Sequence, residues 1–225
     1  MFLDLPRITV VTGHYGTGKS EFSLNLALFL KEGFDGKVYL ADLDVVNPYF
    51  RSRGKENLLA EKGIKVISSG EAFPDVDLPY MPGTVSTILQ DKEARGVIDA
   101  GGDPAGARVL ARYAESLKEE KAALVFVVNA NRPSTKTPEE ALKFLRAIEG
   151  ASNMKVTGLV NNTHLLNATG AEDIIRGAGV TKALSEMTGI PLLCNAVEEA
   201  LVDEVPKEIG TVFPIRVHLK KPWEV

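Results

Sequence analysis

Eight consecutive residues carry the strongest chemical signal in the chain. Gly13-His14-Tyr15-Gly16-Thr17-Gly18-Lys19-Ser20 fits the pattern G-x-x-x-x-G-K-[ST]. Glycines allow a backbone to wrap closely around phosphate oxygens with its N–H groups pointing inward. Lys19 adds a full charge at the β- and γ-phosphates, and the Ser20 hydroxyl suits Mg²⁺. A helix starting at Lys19 presents free N–H groups and the positive end of its dipole to the same anion. Short patterns occur by chance, so the setting matters. The β-branched run 8–12 precedes the motif, and Phe22, Leu26, Phe29 and Leu30 follow it at core-facing helical spacing. The expectation is a P-loop that binds ATP with Mg²⁺.

Carboxylates at strand ends complete such a site. Mg²⁺ keeps several waters and takes one or two carboxylates beside the substrate phosphates. Asp99 ends an apolar stretch and precedes Gly101-Gly102, as a γ-phosphate-facing acid should. Asp44 is placed to orient or deprotonate an attacking water, and both acids join Ser20 as candidate metal ligands. Asp42 reads equally as a ligand and as loop support. Asp103, lying before Pro104, reads as an acid or as a helix N-cap. Asn129, Asn131, Arg132 and Lys136 follow the most apolar strand and would line either a nucleotide or a partner site.

Positioning these residues takes alternating strands and helices. Apolar runs at 8–12, 38–41, 64–69, 96–99, 124–128, 156–161, 191–195 and 212–218 predict strands, the last at a sheet edge. Helices are predicted over 19–31, 84–92, 104–119, 138–149 and 171–188, with Thr137 and Glu140 spaced as a capping box. The stretch 70–83 holds Pro74, Pro79 and Pro82 and reads as an irregular loop. This alternation predicts an α/β class: one three-layer domain, 1–225, with a mostly parallel sheet and helices on both faces. Ligands in such sheets lie beyond the C-terminal strand ends, where the residues above fall.

Composition narrows the function classes. With 225 residues and 25% charged side chains, the chain can bury a large core unaided. The net charge of −4 argues against nucleic acid as a partner. No apolar run approaches the roughly 18 residues that span a bilayer, and no signal-peptide pattern opens the chain. The single cysteine, Cys194, excludes an intramolecular disulfide and suits a cytoplasmic setting.

The sequence resembles the MinD/ParA-like P-loop NTPases (the CobQ/CobB/MinD/ParA nucleotide-binding domains of the SIMIBI class), which include the nitrogenase iron protein. The resemblance rests on the P-loop, Asp42-Leu43-Asp44, Asp99-Ala100-Gly101-Gly102 and Gly158-Leu159-Val160-Asn161-Asn162. It implies that Asp44 is the switch I aspartate and Asp99 the Walker B acid. It implies that Asn162 reads the adenine ring, with Asn195 in a second base-contacting loop, and that nucleotide contacts run from Gly13 to Glu21. No N-K-x-D guanine motif follows 156–161, which favours ATP over GTP.

Departures reshape the expectation. The family's signature lysine, which reaches a dimer partner's nucleotide, is replaced by His14. His14 reads as a loop-packing residue. Arg51 and Arg53 would supply the missing charge to the transferred phosphate, or are solvated surface arginines. The family's paired cluster-binding cysteines are absent, and the tail 217–225 is too short for an interfacial helix. The leading expectation is an ATPase switch that binds ATP or ADP, forms a nucleotide-dependent homodimer and acts on a protein client through 70–92. The alternative is a small-molecule kinase or ATP-dependent ligase using the same P-loop.

Overall fold

Runs of β-branched and aliphatic residues dictate the centre of the molecule. The computed structural model describes residues 5–43, 59–68 and 82–218, apart from the side chains of 82–84 and 105. Asp44, Arg51 and Arg53, together with most of the 70–92 stretch, lie outside the described residues. Among those described, eight strands form one sheet: β1 (Ile8–Gly13), β2 (Val38–Asp42), β3 (Ile64–Ser68), β4 (Arg95–Asp99), β5 (Ala123–Val128), β6 (Gly158–Asn161), β7 (Leu192–Glu198) and β8 (Val212–Ile215). Their order is β3-β2-β4-β1-β5-β6-β7-β8, and every pairing is parallel. Among the described residues six α-helices accompany them: α1 (Lys19–Glu32), α2 (Pro82–Gln90), α3 (Pro104–Ala111), α4 (Ala114–Glu119), α5 (Pro138–Ser152) and α6 (Ala171–Thr188).

Parallel strands buried on both faces show alternation as a choice between two cores rather than between core and water. In β5, Leu124, Phe126 and Val128 enter one core with Leu110, Leu117, Leu145 and Ile148 of α3, α4 and α5. Ala123, Val125 and Val127 enter the other, with Phe22, Leu26 and Leu30 of α1. This is the expected three-layer α/β architecture. A crossover back to the sheet brings β4 in beside β1, while β5 lies on the other side of β1. The turn after β1 therefore sits where the strand order reverses, the position at which open α/β sheets hold ligands.

Two predicted elements change shape. The helix expected over 104–119 is divided into α3 and α4. Tyr113 N donates to Leu110 O in a tightened turn, and Leu117 N then starts again from Tyr113 O. No Gly or Pro marks this break; Leu110, Ala114 and Leu117 are all buried, and the bend keeps them in one core. The last extended segment pairs only over 212–215 and does lie at the sheet edge. Among the described residues, no helix is long and apolar enough to cross a membrane.

Candidate nucleotide site

The G-x-x-x-x-G-K-S segment forms the turn between β1 and α1. Thr17 closes it on His14, with N–H and hydroxyl both donating to the His14 carbonyl, at 3.1 and 2.9 Å. Gly16 and Gly18 both have φ +77°, a conformation that L side chains rarely adopt. Gly18 is the N-cap of α1, and Phe22 N donates to its carbonyl. The first turn of α1 thus begins with Lys19 and Ser20, both buried.

Ser20 meets Asp99 here. Its Oγ donates to Asp99 Oδ2 at 2.5 Å, and Ser23 Oγ lies 3.4 Å from Oδ1. The meeting follows from topology: β4 lies beside β1, so its C-terminal acid arrives beneath the first turn of α1. Asp42 stands opposite Asp99 in the β2–β4 register, and both are buried. A hydroxyl and a carboxylate held together are hard oxygen donors, the chemistry that Mg²⁺ requires. Among the described residues, no group of three or more His, Cys, Asp or Glu side chains could cage a metal unaided.

The strand ends beyond β1 brace the loop from its other side. Asn162 Nδ2 donates to Thr17 O at 2.8 Å, and Asn129 Nδ2 reaches Gly16 O at 3.4 Å and His164 O at 3.2 Å. Arg132 Nε also donates to Gly16 O, at 2.9 Å. A Cβ at Gly18 would fall 2.3 Å from Asn162 Nδ2 and 3.0 Å from His164 Nε2, so this wall stands tight against the phosphate turn. On the opposite flank, a Cβ at Gly102 would lie 3.0 Å from both Gly13 O and Tyr15 N. The close approach of two backbones accounts for the glycine at position 102.

Other sequence candidates have partners of their own, some at a distance from the phosphate turn. Asn195 is fully buried; its Oδ1 accepts from Asn161 Nδ2 and its own Nδ2 donates to Ile209 O. Both amide ends thus tie β6, β7 and the approach to β8. Glu21 Oε1 accepts from His218 N at 2.8 Å, which aims it at the segment after β8. Asp103 is the N-cap of α3, its Oδ1 accepting from Gly106 N at 2.6 Å, so of its two readings the cap is the one seen. His14 turns its ring edge to Phe144 of α5, 4.9 Å between centroids, and its Nδ1 pairs with Tyr15 O. A carbonyl only accepts, so Nδ1 carries the proton. Tyr15 is 58% exposed at the loop tip. Burial pushes the Cys194 thiol well above its ordinary pKa, as suits an inert core residue.

Asn129 and Arg132 stand against the phosphate turn, within the nucleotide-or-partner reading of their loop, whereas His164 is the residue of this wall that spacing did not single out. They touch carbonyls or backbone, and a carbonyl target leaves no trace in sequence.

No family model matches the chain, and a search of curated proteins finds no match. Solved structures do resemble it. The signal recognition particle receptor FtsY from Elizabethkingia anophelis is 19% identical over 87% of this chain and 60% of its own, with a TM-score of 0.52. Chloroplast FtsY from Physcomitrella patens is 17% identical over 86% and 59%, at 0.57. A complex of the Elizabethkingia anophelis receptor with GDP matches at 18% identity over 86% and 57%, at 0.50. The chain spans about three-fifths of the length of the structures it matches. At these identities the likeness is one of fold, a parallel α/β sheet of P-loop NTPase type.

Proposed function

We propose that this protein binds ATP with Mg²⁺ and hydrolyses it as a nucleotide-dependent switch of the MinD/ParA-like class. The observation that carries the reading is the Gly13–Ser20 turn, delivering buried Lys19 and a Ser20 hydroxyl already paired with Asp99. Backbone N–H groups of the turn and Lys19 hold the β- and γ-phosphates. Ser20 and Asp99 hold Mg²⁺, with Asp44 joining them, and the ion when bound neutralises charge on the β/γ oxygens. Asp44 orients the attacking water, and Arg51 stabilises charge on the transferred group.

The choice of ATP over GTP rests on Asn162. Its Nδ2 faces Thr17 O, which can only accept, and this fixes the orientation of the amide. An Oδ1 turned toward a bound base would accept from the exocyclic amine of adenine and oppose the O6 of guanine. Asn195 supports this wall by holding Asn161 rather than by touching the base. A homodimer formed in the triphosphate state, a protein client and a cytoplasmic setting complete the reading.

Fluorescent ADP displaced by ATP and GTP, together with phosphate release by wild type and Lys19→Ala, tests it. Expected are Mg²⁺-dependent binding, preference for ATP, and loss of binding by at least about tenfold in the variant. Equal ATP affinity in wild type and Lys19→Ala would overturn it.

A further inference from the structure

Four of the eight described arginines pair with carboxylates. Arg7 pairs with Glu120, Arg146 with Glu149, Arg176 with Asp173 and Arg216 with Glu199. Arg132 does not. Its Nε donates to Gly16 O at 2.9 Å, and its terminal nitrogens make no hydrogen bond or ion pair among the described residues. The guanidinium lies flat against the crown of the phosphate turn: a Cβ built on Gly16 would fall 2.9 Å from both Cζ and Nε and 3.0 Å from one terminal nitrogen. The loop that carries it is itself held. Asn131 N donates to Asn129 Oδ1, and Thr135 Oγ1 to Asn129 O. Asn131 also bonds Asp173 and Arg176 of α6. A half-buried guanidinium with no counterion among the described residues is thus anchored by one N–H on the loop that would cradle an anion.

We propose that Arg132 is a polyphosphate-binding residue that acts in cis, its free N–H groups and charge holding the nucleotide's phosphates and slowing release of both di- and triphosphate. This rests on the nucleotide reading above and adds a cation from the same chain at a site where position 14 offers only a histidine turned toward Phe144. An arginine presents several N–H donors to phosphate oxygens, and the charge adds to them. Part of the effect is therefore electrostatic and shrinks with salt, because the Debye length falls from about 10 Å at 0.1 M to about 3 Å at 1 M. The other role open to Arg132, a mechanical brace for Gly16 O, needs only an N–H donor.

Two variants separate the roles. Arg132→Gln keeps an N–H donor and removes the charge; Arg132→Lys keeps the charge. The measurement is stopped-flow release of fluorescent ADP and of a fluorescent non-hydrolysable ATP analogue from the full chain with Mg²⁺, in low and high salt. Expected at low salt is release about tenfold faster for Arg132→Gln with both nucleotides, and within about threefold of wild type for Arg132→Lys. The gap between the two variants narrows at high salt. Gln and Lys variants alike at every salt concentration would reduce Arg132 to a brace, and a loss confined to the triphosphate would move it to the hydrolysis step; either result overturns the proposal. Wild type that binds neither probe, or Lys19→Ala that binds both normally, brings down the nucleotide reading itself.

Discussion

Ser20 and Asp99 are separated by most of a hundred residues in the chain and by one hydrogen bond in space. Each was legible alone, Ser20 from its place in the motif and Asp99 from the apolar strand before it. Their contact depends on β4 lying beside β1, which no local spacing announces. Asp99→Asn keeps the shape and removes the charge, so it should lower hydrolysis by about 10²-fold or more and raise the Mg²⁺ requirement, read from phosphate release across a Mg²⁺ titration. Gly16→Ala is the steric counterpart. It puts a side chain at φ +77° and onto the Arg132 guanidinium. Loss of nucleotide binding is expected with the fold retained, seen as weakened fluorescent ADP binding beside an unchanged far-ultraviolet spectrum. The Asn129, Arg132 and Asn162 contacts to the turn were not legible, because their targets are backbone carbonyls far off in sequence.

Among the elements, α5 shows what spacing reveals and what it hides. Its start was readable: Thr137 Oγ1 accepts from Glu140 N, and the Glu140 carboxylate accepts from Thr137 N. Thr137→Ala should destabilise the protein by about 1 kcal/mol, lowering Tm by about 3 °C in a thermal melt. Its end was not readable. Glu149 lies in the last turn, buried, and accepts from Val156 N, Arg146 and Lys155. Burial alone would raise the pKa of this carboxyl, but the Arg146, Val156 and Lys155 donors outweigh it and hold the group below its ordinary 4.5. A depressed carboxylate stabilises the fold fully above its unfolded pKa and loses that contribution as pH falls through the lower folded value. Glu149→Gln should therefore cost about 2 kcal/mol at pH 7, and the gap from wild type should close in acid below the ordinary carboxylate range. Urea denaturation at neutral and acidic pH measures both.

At the scale of the molecule, the alternation of apolar runs and amphipathic stretches predicted the three-layer sheet. The strand order was not derivable, since every crossover of this length satisfies the same local pattern. One consequence of a single cradle is thermodynamic. A nucleotide that binds only the folded chain adds about 2.7 kcal/mol of stability at a hundredfold excess over its Kd, so Mg²⁺ with ATP should raise Tm in wild type and raise it markedly less in Lys19→Ala. Sedimentation with ADP and with a non-hydrolysable ATP analogue should show a heavier species only with the triphosphate; one mass in both states would sink the switch and move the reading to an acceptor-dependent kinase or ligase. The far edge of the sheet constrains how copies meet. Edge strands invite foreign strands, yet β8 carries an exposed Pro214, which has no N–H to lend a ladder. Beyond it the chain leaves the sheet: Arg216 exchanges two backbone bonds with the Asn25 side chain of α1. Growth of the sheet from one molecule into the next is thereby discouraged at this border, so crowding the protein should not seed fibrils from the β8 side.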